Sequence, residues 1–98
     1  MEATFTFRKT EATEALRTHA LDKLSKLDKY LPKPVNVHVI FNVEGFRHQV
    51  EIAFLSNGVR YFGKGQSNDM YTSIDDAVSR IEHQLRKMKE RIKGHKGE

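Results

Sequence analysis

The segment 68–93 constrains the fold of this 98-residue chain most strongly, because its apolar side chains recur at steps of three and four residues. That period is typical of one face of an α-helix. Such a helix buries its apolar stripe within a domain and leaves its remaining surface to solvent. Asn68 or Asp69 is the expected N-cap. The stripe consists of Met70, Ile74, Ala77, Val78, Ile81, Leu85, Met88 and Ile92.

Two elements are predicted in the first third of the chain. Residues 3–8 alternate apolar and polar side chains, which predicts a half-buried strand. Thr10 and Thr13 are candidate N-caps of a helix that runs to about Tyr30. The prolines that follow Tyr30 end this helix, since proline disfavours helical backbone at the preceding residue.

Three further strands are predicted between the two helices. Residues 35–43 alternate most clearly, and residues 49–54 and 59–66 follow with the same period. Asn57-Gly58 indicates a tight hairpin, because both residue types tolerate positive φ. The glycines at positions 63 and 65 weaken the last strand and indicate either a bulge or a close approach of a helix.

The resulting order, β-α-β-β-β-α, predicts an α+β fold. A whole helix connects the first two strands, so we expect them to be parallel, whereas short turns make the other pairs antiparallel. One apolar face on each element predicts a two-layer sandwich, a four-stranded mixed sheet with two helices on one face. We expect a single domain over residues 1–93 and a flexible tail over residues 94–98.

Composition excludes several classes of function. The chain has no cysteine, which rules out disulfides and thiolate metal sites. His38 and His48 are possible cross-strand neighbours, but two imidazoles lack a third metal ligand. With no phosphate-binding loop or nucleophile motif either, we expect no metal, no cofactor, no small-molecule substrate and no enzymatic activity. The N-terminus carries neither a signal peptide nor a membrane span, so we expect a cytoplasmic protein.

Charge is distributed unevenly along the chain. Residues 69–79 hold three acids and no base, whereas residues 80–98 hold seven bases and three acids. Helix electrostatics accounts for part of this pattern, and a solvated helix face is the alternative explanation. The excess of cations suits a polyanion, and inside a cell we expect that polyanion to be RNA. At about 100° per residue the cations divide between the two shoulders of the stripe, with Arg80, Lys87 and Arg91 on one and Arg86, Lys89 and Lys93 on the other.

The first helix carries a matching set of polar side chains. Helical angles place His19, Lys23, Lys26 and Tyr30 on one of its shoulders. If the two helices lie side by side on the sheet, their shoulders form one basic strip. Such a strip binds phosphates by position and shape without reading sequence.

Two sequence patterns resemble the ribosome hibernation-promoting factors, also called ribosome-associated inhibitors. The first is residues 14–30, with Glu-Ala-Leu-Arg followed by Lys-Leu pairs and Tyr30. The second is Asp-Met-Tyr-Thr-Ser-Ile-Asp at residues 69–75, followed by Gln84-Leu85, Lys87 and Lys89. The similarity extends from Met1 to about Lys93, and the chain resembles the short form of the family.

The resemblance implies a domain similar to double-stranded-RNA-binding domains. It implies binding to rRNA of the small ribosomal subunit in the decoding channel, where occupancy blocks mRNA and tRNA and keeps the ribosome inactive in stationary phase under stress. We expect a monomer off the ribosome. Two alternatives stay open, a protein-interaction regulator of the sigma-factor-modulating type and a generic duplex-RNA-binding domain.

The resemblance also implies which side chains face RNA. His83 stands where relatives often have arginine, and a largely neutral imidazole supplies little charge. Tyr71 either stacks on a base or packs under the edge of the sheet, and we expect packing. His19, Tyr71 and His83 are therefore additional candidates only. The residues that the resemblance implies are Lys23, Lys26, Arg80, Lys87, Lys89, Arg91 and Lys93. Arg86 joins the expected RNA-binding residues because helical angles place it on a cationic shoulder of the last helix.

Overall fold

A computed structural model describes the backbone of residues 1–96 and the side chains of residues 1–90. Within that range the elements follow the predicted order. They are β1 (Glu2–Arg8), α1 (Glu14–Ser25), β2 (Asn36–Glu44), β3 (Arg47–Ser56), β4 (Val59–Ser67) and α2 (Met70–Lys96).

The four strands form one mixed sheet in the order β1-β2-β3-β4. β1 pairs with β2 in parallel, and the other two pairs are antiparallel, as predicted. Asn57 and Gly58 have φ values of 54° and 79° between β3 and β4. Positive φ at both positions is the backbone of a two-residue hairpin turn, so this prediction is also confirmed.

Helix α1 is shorter than predicted. The hydroxyl of Thr13 accepts a hydrogen bond of 3.2 Å from the backbone N–H of Leu16 and caps its start. The prediction that the helix continues to Tyr30 is wrong, because α1 ends at Ser25 and a separate 3₁₀ helix follows at Asp28–Tyr30. The turns between them close by tighter hydrogen bonds between residues three apart, and the backbone then becomes extended ahead of the first proline.

Both helices cover the same face of the sheet. The guanidinium of Arg17 on α1 lies 5.3 Å from the ring centroid of Phe7, so α1 covers the β1 side. Phe7 stacks in turn on Phe41 of β2, with ring centroids 4.5 Å apart. Helix α2 covers β3 and β4. The buried core lies between these layers and includes Leu24, Val39, Phe41, Ile52, Ile74 and Ile81.

The two glycines of β4 mark a close approach of α2, as the sequence allowed. A Cβ atom on Gly63 would lie 2.5 Å from the carbonyl oxygen of Ala77. A Cβ atom on Gly65 would overlap the carbonyl oxygen of Ser73. Only residues without a side chain let the helix backbone rest directly on this strand, which fixes the position of α2.

The start of α2 is capped by Asp69. One carboxylate oxygen of Asp69 accepts hydrogen bonds from the hydroxyl and the backbone N–H of Thr72, at 2.9 and 3.3 Å. The hydroxyl bond is the main cause that lowers the pKa of Asp69 below its ordinary value. Capping by Asn68 or Asp69 was predicted, and the structure selects Asp69.

The far end of α2 extends beyond its predicted limit. The helix runs to Lys96, three residues past Lys93. The predicted flexible tail, residues 94–98, falls at this end, and its last two residues lie outside the described part of the chain. No helix in the described part combines the length and the hydropathy needed to cross a bilayer.

Candidate nucleic-acid interface

The side of α1 that faces α2 carries three of the predicted contacts. Nε2 of His19 lies 2.8 Å from Oδ1 of Asp75 on α2, and Nζ of Lys23 lies 3.9 Å from the same oxygen. Both side chains are about 70% covered, with 27% and 29% of their surface exposed. Lys26, one turn further along, is exposed. Two of the three therefore already have a carboxylate partner on α2.

A second carboxylate lies further along the seam between the helices. Glu82 accepts a hydrogen bond of 3.3 Å from the hydroxyl of Tyr30, and the same hydroxyl accepts one of 3.3 Å from Nε of Arg86. Arg86 also forms an ion pair of 3.2 Å with Glu82. The bond to Tyr30, followed by the charge of Glu82, raises the pKa of Arg86 above its ordinary value. Arg86 is thus a cation whose charge is partly balanced.

The seam between the helices is consequently mixed in charge. A shallow groove of about 200 Å³ runs along it. The groove is lined by two cations, Lys23 and Lys26, and by two carboxylates, Asp75 and Glu82. The single basic strip that the sequence predicted is interrupted by these two carboxylates. The helical angles of α2 place Asp75 and Glu82 on the shoulder that faces α1, where the cations of α1 meet them.

Four of the predicted cationic side chains are exposed to solvent and have no acidic side chain paired with them in the described part of the chain. Among the described side chains, none of the four forms an ion pair within 4.0 Å. We call them the helix cations: Lys26, Arg80, Lys87 and Lys89.

The helix cations do not lie on one line. Arg80 and Lys87 are seven residues apart, about two helical turns, so they share the shoulder of α2 above the β4 edge. Lys89 lies on the opposite shoulder, beside Tyr30 and the hairpin between β3 and β4. Lys26 lies across the seam, at the C-cap of α1. The cations are therefore spread over the outer surface of the helical layer, on both sides of the seam.

Tyr71 and His83, two of the additional candidates, lie at opposite shoulders of α2. The ring of Tyr71 meets that of His19 edge to face, with centroids 5.1 Å apart, and keeps 41% of its surface exposed. The prediction that Tyr71 packs under the edge of the sheet is wrong, because its ring packs against His19 of α1 instead. His83 is exposed and lies beside Arg80. The side chains of Arg91 and Lys93 lie outside the described ones, so their part in the interface stays a prediction.

Two residues of β4 near the helix cations were missed from the sequence. Lys64 and Phe62 line the same groove as Arg80 at the edge of the sheet. The alternation Arg60, Phe62, Lys64 on one face of a strand was the signal that could have found them.

Histidines do not assemble a metal site in the described part of the chain. His38 lies opposite Thr4 and Ala53, whereas His48 lies opposite Val43, so the two are not cross-strand neighbours. Within the described residues, no three histidine, aspartate or glutamate side chains are placed to hold a metal ion.

Comparison with known proteins identifies the family to which the sequence belongs. The sequence profile of the family described as "Sigma 54 modulation protein / S30EA ribosomal protein" matches residues 3–93. The chain belongs to this family. The resemblance of the sequence to the ribosome hibernation-promoting factors is thereby confirmed.

Relatives in the family cover nearly the whole chain. It is 32% identical over 95 residues to the ribosome hibernation promoting factor of Escherichia coli strain K12, covering 97% of this chain and 100% of that protein. It is 31% identical over 91 residues to the protein of that name from Pseudomonas putida strain KT2440, covering 93% and 89%.

Solved structures of the family have the same fold. The N-terminal domain of Protein Y from Thermus thermophilus superposes with a TM-score of 0.82 at 27% identity, covering 90% of this chain and 99% of that domain. A ribosomal subunit interface protein from Coxiella burnetii superposes with a TM-score of 0.78 at 26% identity, covering 91% and 98%. The predicted β-α-β-β-β-α sandwich is confirmed.

Proposed function

We propose that this chain is a cytoplasmic ribosome hibernation factor that binds rRNA of the small ribosomal subunit in the decoding channel. There it blocks the mRNA and tRNA sites by occupancy and keeps the ribosome inactive. The names of its relatives support a role in hibernation. The observation that supports rRNA as the ligand is that the four helix cations are exposed and form no ion pair among the described side chains.

The mechanism requires no chemical step. Lysine and arginine side chains on two packed helices present charges at fixed spacings, and phosphates of a folded RNA offer complementary charges at fixed spacings. Recognition then depends on the shape of the RNA backbone. Asp75 links α2 to α1 through His19 and Lys23, and Glu82 links α2 to the 3₁₀ helix by accepting a hydrogen bond from the hydroxyl of Tyr30.

Salt should weaken this interaction strongly. Each phosphate contact releases a counterion, and four contacts lower the affinity on the order of a hundredfold between 50 and 200 mM salt. Any contacts from residues beyond position 90 would steepen this dependence.

The family's description also supports a second candidate, a protein-interaction regulator, because it includes sigma 54 modulation. A protein partner would bind in the presence of nuclease and with weak dependence on salt. An RNA-dependent factor would lose its partner on nuclease treatment and at high salt.

The test is sedimentation of the purified chain with isolated small subunits at low salt. We expect the protein to migrate with the subunits, and an excess of mRNA or tRNA to displace it. A short RNA duplex at equal nucleotide concentration serves as the control competitor. Protein that stays at the top of the gradient would reject ribosome binding, and equal displacement by the duplex would favour a generic duplex-RNA-binding domain.

A further inference from the structure

A groove of about 610 Å³ runs along the β4 edge of the sheet, outside the seam between the helices. Side chains from both layers line it, because β4 supplies one wall and the outer shoulder of α2 the other. The lining side chains are Phe62, Lys64, Ser79, Arg80, His83 and Gln84.

Two cations reach this groove from opposite walls. Lys64 extends from β4 and Arg80 from α2, and both are exposed. Glu51 lies opposite Lys64 in the sheet, yet no ion pair within 4.0 Å joins them among the described side chains. The groove therefore presents two cations that form no ion pair among the described side chains, and such a pair suits a phosphate.

Phe62 provides an exposed aromatic surface beside these cations. It keeps 48% of its surface exposed on the open side of the sheet. The neighbouring aromatic side chains of the sheet, Phe54 and Tyr61, are instead buried in the core at 5% and 6% exposure. An exposed ring flanked by cations is the combination that single-stranded nucleic acids bind, with a base on the ring and a phosphate on the charge.

Gln84 hinders a β-strand of another protein from pairing with the β4 edge at this groove. Its side-chain amide donates a hydrogen bond of 2.7 Å to the backbone carbonyl of Phe62. β4 is an edge strand, and this bond occupies a carbonyl that an added strand would need. The amide also fixes the backbone that carries the ring.

We propose that this groove binds one unpaired nucleotide of a single-stranded RNA segment, with its base stacked on Phe62 and its phosphate between Lys64 and Arg80. The inference rests on the proposed function and adds a base contact to the phosphate contacts of the helix cations. A duplex does not satisfy the site, because its bases are stacked on one another and cannot reach the ring.

The experiment measures binding of a fluorescein-labelled octauridylate and of a labelled RNA duplex to the full chain by fluorescence anisotropy. Phe62→Leu removes the ring and keeps apolar bulk, and Phe62→Tyr keeps the ring. Leu55→Ala is the matched control, because Leu55 is 61% exposed on the same face of the sheet and lies outside the groove. Thermal unfolding verifies that each variant folds.

We expect Phe62→Leu to weaken octauridylate binding by at least about fivefold. Phe62→Tyr and Leu55→Ala should stay within about twofold of wild type, and duplex binding should not respond to Phe62→Leu. Lys64→Gln should reduce the slope of log affinity against log salt for octauridylate by about 0.7, the value of one single-strand phosphate contact.

Equal binding by wild type and Phe62→Leu would overturn the proposal, as would an equal loss in Leu55→Ala or in duplex binding. Sedimentation of the wild-type chain with small subunits is measured in parallel. If the chain binds subunits but Phe62→Leu changes nothing, the groove assignment alone fails. If octauridylate binds through Phe62 but subunits do not bind, the ribosome assignment fails and the groove stands.

Discussion

Nε2 of His19 on α1 lies 2.8 Å from Oδ1 of Asp75 on α2, so an imidazole and a carboxylate connect the two helices. Nζ of Lys23 approaches the same carboxylate at 3.9 Å. One acidic side chain therefore contacts both Lys23, which was expected to face RNA, and the additional candidate His19. The affinity of the helical surface for a polyanion should depend on this carboxylate as well as on the cations around it.

Asp75→Asn should strengthen binding to the small subunit. The change removes a negative charge from the seam and releases Lys23 for phosphate, so we expect affinity at low salt to rise about two- to fivefold, the scale of an exposed ion pair. The free energy of unfolding should fall by no more than about 1 kcal/mol. Sedimentation with subunits and chemical denaturation measure the two quantities.

Asp76→Asn is the matched control for this prediction. Asp76 is exposed on the same helix, forms no ion pair within 4.0 Å among the described side chains, and its substitution changes the net charge equally. An equal gain in affinity for Asp76→Asn would show that net charge alone determines the affinity for the small subunit. It would contradict the specific role assigned to Asp75.

Gly65→Ala should destabilise the fold by about 2–3 kcal/mol or more. The new methyl group would overlap the carbonyl oxygen of Ser73, which belongs to the backbone of α2, so the helix has to move away from β4. Urea unfolding followed by circular dichroism measures the change. Lys64→Ala on the same strand, whose side chain is exposed, should stay within about 0.5 kcal/mol of wild type. Similar stabilities for the two variants would contradict the close packing described for α2.

Stability should decline in acid partly through the cap of α2. The bonds from Thr72 lower the pKa of Asp69 in the folded protein, so the charged form stabilises the fold above the ordinary aspartate pKa of about 4. That contribution is lost as the pH falls through the lowered pKa. Asp69→Asn should therefore flatten the dependence of the unfolding free energy on pH below about 4.

The charge-matched control for the cap is again Asp76→Asn, which leaves the bonds between Asp69 and Thr72 in place. Denaturant unfolding between pH 2 and pH 6 compares the variants. If Asp69→Asn and Asp76→Asn retain the same acid dependence as wild type, the cap does not contribute in the way proposed.

Local patterns in the sequence were sufficient to predict the architecture. Alternation located all four strands, and the hairpin at Asn57-Gly58 followed from the φ preferences of two residues. The end of α1 was predicted five residues too late, because the 3₁₀ helix at Asp28–Tyr30 continues a helical pattern of side chains with a different backbone. Periodicity does not distinguish these two kinds of helix.

The candidate site was harder to predict from the sequence, because its main contacts join residues that are far apart in the chain. His19 and Asp75 are 56 positions apart, and Tyr30 and Glu82 are 52 apart. Helical angles placed each cation on a shoulder but could not tell which shoulders of α1 and α2 meet. Lys64 was missed for the same reason, because its proximity to Arg80 depends on how α2 lies across β4.

The central claim is that exposed cations of the two helices bind rRNA, and Lys87→Glu combined with Lys89→Glu tests it most directly. Both side chains are exposed, so the free energy of unfolding should stay within about 0.5 kcal/mol of wild type. Arg8→Glu combined with Lys33→Glu is the control, since it makes the same change in net charge at two exposed cations outside both helices.

The deciding measurement is the affinity for isolated small subunits as a function of salt, determined for wild type and for both double variants. For Lys87→Glu with Lys89→Glu we predict at least a tenfold weaker affinity at low salt and a slope against log salt that is reduced by about two. The control should keep most of the wild-type affinity. Wild-type affinity and slope in the Lys87→Glu and Lys89→Glu variant, or an equal loss in the control, would contradict the assignment of the helical surface to rRNA.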